Sequence, residues 1–198
     1  MIKYAKPYTL KTPTGGNVIT INYDVYDSRI EDGFVYTRNK RTVYFAPTQL
    51  PDDYALPETV KTISNGAFAY SDFQSVSLGN SLTTIGDYAF RGCSDLKSLR
   101  LGSSVSQIGS GAWNDCESIE TIECSMPTPF AAPKDIFPLN VYDNATLYVP
   151  EGSMDKYMEV APWSYFYNIK EGLPVNGIDD IVAAGGDDTI DCGRPYDV

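Results

Sequence analysis

Residues 56–79, 80–102 and 103–125 can be written one beneath another so that their apolar residues fall into columns. Ile63, Ile85 and Ile108 form one column, and Phe68, Phe90 and Trp113 another. Phe73, Leu96 and Ile119 follow, then Val76, Leu99 and Ile122, then Leu78, Leu101 and Cys124. The second and third segments are offset by 23 residues in every column. The first and second are offset by 22 up to Phe90 and by 23 beyond it, so the first segment lacks one residue near Ser71. Constant offsets across five columns mark units that cannot bury their apolar side alone and must stack on their neighbours. The expected fold is a repeat solenoid.

Each unit has two extended parts. The first is TVKTI, LTTIG or VSQIG, leading into a turn with Ala67-Phe68, Ala89-Phe90 or Ala112-Trp113. The second is FQSVSL, LKSLRL or IETIEC, whose L-x-x-L-x-L pattern is that of a leucine-rich-repeat strand. This predicts a right-handed leucine-rich-repeat coil, with a parallel β-sheet on one side and short turns and strands on the other. The glycines Gly79 and Gly102 fit the sharp corner after the strand.

Parallel strands lie about 4.8 Å apart with equivalent residues side by side, so the polar columns can be read as well. Gln74, Lys97 and Glu120 form one outward column; Ser75, Ser98 and Thr121 the next; Ser77, Arg100 and Glu123 the third. These nine are the candidate ligand-binding residues. Lys97 is expected beside Glu120 and Arg100 beside Glu123, pairs worth a few tenths to about 1 kcal/mol. The pairing reads as neutralisation that sets strand register, and the strip also reads as a surface for a partner. Cys93 and Cys116 share a column, but their parallel Cβ vectors suit a disulfide poorly. They are expected to be reduced, buried thiols, as is Cys124.

Around the repeats, residues 1–33 read as an N-terminal β segment, with strands in YTLKT and NVITINYDVYD separated by a turn at Pro13-Thr14-Gly15-Gly16. The Ile19-Thr20-Ile21 alternation leaves open whether it is the last piece of an earlier, degenerate repeat strand. Residues 34–55 read as a β-hairpin, FVYTRNKRTVYFAP, and a loop in which two prolines exclude a central strand. The basic group Arg38, Lys40 and Arg41 is either a solvated hairpin tip or a contact for an acidic ligand. After the repeats of 56–125, residues 126–171 read as a terminal repeat and small helical cap. A short helix is placed around Lys134 to Phe137, a strand at TLYVP, and a helix in GSMDKYMEV with Ser153 as N-cap and Asp155 in its first turn. Pro162 ends that helix, and Trp163, Phe166 and Ile169 supply apolar groups to close the open end of the stack. Residues 172–198 read as an acidic, Gly-rich tail. Its GGDDTID resembles a calcium-binding nonapeptide, but Asp188 stands where glycine belongs and there is one copy, so no metal site is expected. Asn144-Ala145-Thr146 matches a glycosylation acceptor, a pattern of low specificity.

Composition narrows the function. The 198-residue chain carries 15 basic and 26 acidic residues, a net charge of −11 that disfavours nucleic acid and anionic membrane surfaces. It has no histidine, which removes the commonest general base and metal ligand. Cys93, Cys116, Cys124 and Cys192 form no CxxC pair. Candidate carboxylate pairs for an acid–base hydrolase abound, but no pattern singles one out. The expectation is a non-enzyme without cofactor. No apolar run reaches the roughly 18 residues of a membrane span. MIKYAKPYTL lacks the apolar centre of a signal peptide, so the chain is expected to be cytosolic or to begin after a removed leader.

The segment TTIGDYAFRGCSDLKSLRLG resembles the BspA-like leucine-rich repeats, also called the Treponema pallidum type, of surface proteins in Bacteroidetes. FVYTRNKRTVYFAP looks like the hairpin insertion of that family, and ATLYVPEGSMDKYMEVAPWSYFYNIKE is similar to its terminal unit. The resemblance covers residues 31–171; Trp113, where phenylalanine is usual, and the shortened first repeat depart from it. The tail ending in Tyr196-Asp197-Val198 faintly resembles the start of a C-terminal sorting segment of such proteins. The resemblance implies a secreted or cell-surface protein with no catalytic motif, and adhesion to a host protein or glycan. A structural spacer that presents other parts of a larger surface protein is the alternative.

Overall fold

The computed structural model describes residues 28–172 and two strands before them, β1 (Tyr8–Leu10) and β2 (Ile19–Ile21). These two pair antiparallel, with Tyr8 opposite Ile21. Ile19–Ile21 is therefore a hairpin strand, whereas a strand of the repeats pairs parallel with its equivalents. The Pro13–Gly16 turn, the tail after residue 172, its GGDDTID segment and Cys192 lie outside the described residues.

The described chain continues through β3 (Ser28–Glu31), β4 (Phe34–Thr37), β5 (Thr42–Phe45), β6 (Asp53–Ala55), β7 (Thr62–Ile63), β8 (Ser75–Ser77), β9 (Thr84–Ile85), β10 (Ser98–Leu101), β11 (Gln107–Ile108) and β12 (Thr121–Cys124). Helix α1 (Leu139–Asn144), β13 (Thr146–Val149), α2 (Met154–Glu159) and β14 (Asn168–Glu171) complete it. The strands sort into two six-stranded sheets. One has the order β6-β8-β10-β12-β13-β14 and is parallel throughout; the other runs β3-β4-β5-β7-β9-β11, antiparallel in its first two pairings and parallel after β5. Each repeat gives one strand to each sheet, and each strand pairs with its equivalent in the next repeat. This is a leucine-rich-repeat fold.

Inside the sheets the apolar columns become layers. Tyr54, Val76, Leu99, Ile122, Leu147 and Ile169 are register neighbours across the first sheet. Val43, Ile63, Ile85 and Ile108 are neighbours across the second. Between them runs an aromatic stack: Phe68 and Phe90 have ring centroids 5.2 Å apart, Phe90 and Trp113 5.5 Å with planes 1° apart, and Trp113 and Phe137 4.9 Å. Burying each such side chain contributes about 1.5–3 kcal/mol. Phe137 belongs to the stretch where the period fails in sequence. Trp113 N–H nevertheless donates to the Ile136 carbonyl at 2.9 Å, as Phe90 N–H donates to Ala112, so residues 136–137 occupy the place of a fourth repeat turn.

Several local expectations need correction. The loop expected at residues 48–55 holds a strand, β6; the two prolines that excluded a central strand, Pro47 and Pro51, both precede it, and it lies at the sheet edge. The helix expected around Lys134 to Phe137 lies instead at Leu139–Asn144, behind Pro138. Ser153 precedes α2, but its hydroxyl donates to the Pro150 carbonyl and makes no capping bond. Asn168–Glu171, expected as part of a helical cap, forms a sixth parallel strand. Trp163 and Phe166 are buried, and the Trp163 indole N–H donates to the Phe130 carbonyl at 2.8 Å. Gly79 takes the expected left-handed corner at φ +64, whereas Gly102 serves close packing: a Cβ there would sit 1.6 Å from the Gly79 carbonyl oxygen.

Candidate functional site

The outward face of the first sheet gathers all nine candidate residues. Ser75, Ser98 and Thr121 are register neighbours, and the row continues through Asp53 at one end and Thr146 and Asn168 at the other. Ser77, Arg100 and Glu123 form the adjacent row, which continues through Tyr148 and Lys170. Gln74, Lys97 and Glu120 enter their strands in step: Lys97 N–H donates to the Gln74 carbonyl at 2.7 Å, and Glu120 N–H to the Lys97 carbonyl at 2.9 Å. The face is thus twice as wide as the three aligned segments. Asp53, Thr146, Tyr148, Asn168 and Lys170 join it although no repeat period points to them. The signal that could have found them is apolar alignment: Tyr54 stands 22 residues before Val76, and Ile169 the same distance after Leu147.

The two expected ion pairs behave differently. Arg100 Nε lies 2.6 Å from Glu123 Oε2. Lys97 and Glu120, both exposed, make no ion pair among the described residues. Two flexible, solvated side chains lose entropy on pairing and gain little attraction in water. Glu123 departs from the expectation in burial: it is 2 % exposed, while the Arg100 side chain is 53 % exposed. Arg100 on one side and the half-buried Tyr148 on the other flank the carboxylate, so Glu123 anchors Arg100 and does not itself reach solvent. The Ser75 hydroxyl is also engaged, donating to Asp53 Oδ1 at 2.7 Å. Lys170 Nζ stands 5.9 Å from the Tyr148 ring centroid, within cation–π range. Of the nine, the side chains left for a partner are Gln74, Ser77, Lys97, Ser98, Glu120, Thr121 and the outer surface of Arg100.

The relief of this face favours a broad contact. A depression of about 270 Å³ beside Arg100, bounded by Glu58, Asn80 and Ser125, falls below the roughly 300–1,000 Å³ of small-molecule sites. The basic hairpin is partly neutralised: Lys40 Nζ lies 2.6 Å from Glu31 Oε2 and Arg29 Nε 3.3 Å from it. The hydrogen bond from Lys40 holds the Glu31 carboxyl below its ordinary range. The thiols Cys93, Cys116 and Cys124 are free and buried. Cys93 donates to the Phe68 carbonyl at 3.2 Å and Cys116 to the Phe90 carbonyl at 3.0 Å. The neighbouring Cys116 thiol, with burial, pushes Cys93 far up, and burial does the same to Cys124; both stay protonated and packed. Among the described residues no three or more His, Cys, Asp or Glu side chains converge on a metal position, and no helix is long and apolar enough to cross a membrane.

Comparison with known proteins agrees with this architecture. Residues 43–130 match the BspA-type leucine-rich repeat region in six copies. A leucine-rich repeat protein from Eubacterium ventriosum has a similar structure, with a TM-score of 0.54 and 20% identity over 65% of this chain and 34% of its own. A leucine-rich cell surface protein from Faecalibacterium prausnitzii gives a TM-score of 0.55 and 18% identity over 82% of this chain and 43% of its own. At these identities the likeness is one of fold, and the chain spans less than half the length of either protein. No curated protein matches it.

Proposed function

We propose that this chain, which carries BspA-type leucine-rich repeats over residues 43–130, is a non-catalytic binding module displayed outside a bacterial cell or on its surface. In this reading the stacked repeats form one right-handed solenoid, the hand favoured for parallel strands joined by crossovers, and residues 126–171 close its end. The observation that carries the reading is the uninterrupted row Asp53, Ser75, Ser98, Thr121, Thr146 and Asn168. It presents small hydrogen-bonding groups across six parallel strands. Such a flat, rigid, polar surface matches a macromolecular partner, a host protein or a glycan chain, better than a small metabolite.

The structural alternative, a spacer within a longer surface protein, draws on Arg100–Glu123 and Ser75–Asp53, which spend part of the face on internal contacts. The two readings separate in one experiment. The purified chain is applied to an array of host matrix proteins and mucin glycans, beside a variant carrying Gln74→Ala, Lys97→Ala, Ser98→Ala and Arg100→Ala. A partner bound by the parent and lost by the variant supports the module. Silence across the array, or equal binding by both proteins, would overturn it in favour of the spacer.

A further inference from the structure

The second sheet carries a groove that the reading above does not use. Its register places Tyr44, Ser64, Gly86 and Gly109 in one outward row; the backbone bonds Ser64 N–H to Val43, Gly86 N–H to Ile63 and Gly109 N–H to Ile85 are 2.9, 2.8 and 2.8 Å. Gly86 and Gly109 line the floor of a trough, and their Cβ positions are taken up by Asn65 and Asp87 of the preceding repeats, which only glycine allows to approach so closely. Thr62, Thr84 and Gln107, neighbours across β7, β9 and β11, border one side; Asn65 and Asp87 border the other; Tyr44 closes one end. The trough holds about 540 Å³, well within the range of ligand sites.

Its chemistry selects among ligands. The border is rigid before anything binds: Asp87 N–H donates to Asn65 Oδ1 and Ser110 N–H to Asp87 Oδ1, each at 2.9 Å. Those bonds leave Asn65 Nδ2 and Asp87 Oδ2 without a hydrogen bond among the described residues, and the side chains of Thr62 and Gln107 have none either. The groove therefore offers unspent donors and acceptors along its length, with one aromatic side chain, Tyr44, 36% exposed. It holds one carboxylate and no basic side chain, in a chain of net charge −11. A phosphate, sulfate or uronate would meet repulsion without a countercharge. A peptide added as an extra strand needs an open sheet edge, whereas the trough crosses strands already paired on both sides at β7 and β9. A polyhydroxylated, uncharged chain fits both conditions: its hydroxyls donate and accept, and the C–H face of a pyranose packs on an aromatic ring.

We propose that this groove is a binding site for a neutral oligosaccharide, lying across β5, β7, β9 and β11 with one sugar ring against Tyr44. The site is on the opposite sheet from the face discussed above, so either can fail without the other. The test uses the whole chain on an immobilised panel of neutral glucan, galactan, mannan and N-acetylhexosamine oligomers, with sulfated and uronate-bearing oligomers alongside, and calorimetry on the strongest binder. Tyr44→Ala and Gln107→Ala alter exposed side chains, and unchanged thermal melting shows that both variants fold. Each is expected to weaken binding about tenfold, the loss of roughly one aromatic contact or one hydrogen-bonded group. Tyr167→Ala, which removes an 84% exposed tyrosine far along the chain, is expected to leave it unchanged. Absence of binding anywhere on the panel would overturn the proposal. So would preference for the charged oligomers, or affinity that survives Tyr44→Ala combined with Gln107→Ala.

Discussion

Gly102→Ala tests how closely successive repeats must approach. The added Cβ would lie 1.6 Å from the Gly79 carbonyl oxygen and 2.5 Å from its carbonyl carbon. Both are backbone atoms of the preceding repeat, so no side-chain rotation relieves the contact. An ordinary carbon–oxygen approach is about 3.3 Å, so the two turns must part by roughly 1.7 Å at this point. The parting strains the bonds that bind them: Leu78 N–H to the Arg100 carbonyl at 3.0 Å, and Ser103 N–H to Asn80 Oδ1 at 3.0 Å. Overpacking of this kind costs about 1–3 kcal/mol, and each weakened bond up to about 1 more. The expected loss is therefore about 3 kcal/mol. Gly66→Ala is the matched control. Nothing lies within 4 Å of its Cβ position, and its only penalty is φ +63, roughly 1–2 kcal/mol. Urea unfolding followed by tryptophan fluorescence reports both, through the buried Trp113 and Trp163. If Gly102→Ala shifts the midpoint less than Gly66→Ala at equal slope, close approach of the turns is not what holds these repeats in register.

Arg100→Ala removes the partner of a buried carboxylate and is expected to cost about 1–3 kcal/mol, discounted from a fully buried pair because Arg100 is half exposed; Lys97→Ala, at the unpaired position, should stay within about 0.5 kcal/mol in the same urea assay. Phe90→Ala, excised from between Phe68 and Trp113, is expected to cost about 3–5 kcal/mol by thermal or chemical unfolding. Alkaline pH should destabilise the fold from about pH 10 upward: burial raises the Tyr54, Tyr142 and Tyr157 hydroxyls, so above the unfolded tyrosine value the unfolded chain sheds protons that the folded chain keeps. Stability is full below that value and falls as pH rises toward the raised ones. Tyrosinate absorbance rising in step with loss of ellipticity checks it, and full ionisation of all tyrosines in a folded chain would contradict it.

What could be read along the chain depended on periodicity. Parallel stacking sets like residue beside like, so a constant offset translates directly into spatial register. Ser98 opposite Thr121, and Arg100 opposite Glu123, follow from counting. Where the count breaks, the reading broke too. Phe137 completes the aromatic stack from a proline-rich stretch, because the stack asks only for a flat ring at the right height and tolerates any path leading to it. Strands β6 and β14 extend the polar face because an exposed strand edge accepts any backbone that can reach it, whatever its sequence spacing.

The sequence alone determined the repeat, its inward and outward columns, and the sheet register, because each is a local period repeated by stacking. Only the tertiary structure decided that Glu123 is buried, that Lys97 and Glu120 stay apart, and that a trough lined by Gly86 and Gly109 runs beside Tyr44. Those outcomes depend on how much water each group keeps once its neighbours from other segments arrive, and burial of that kind has no period to read.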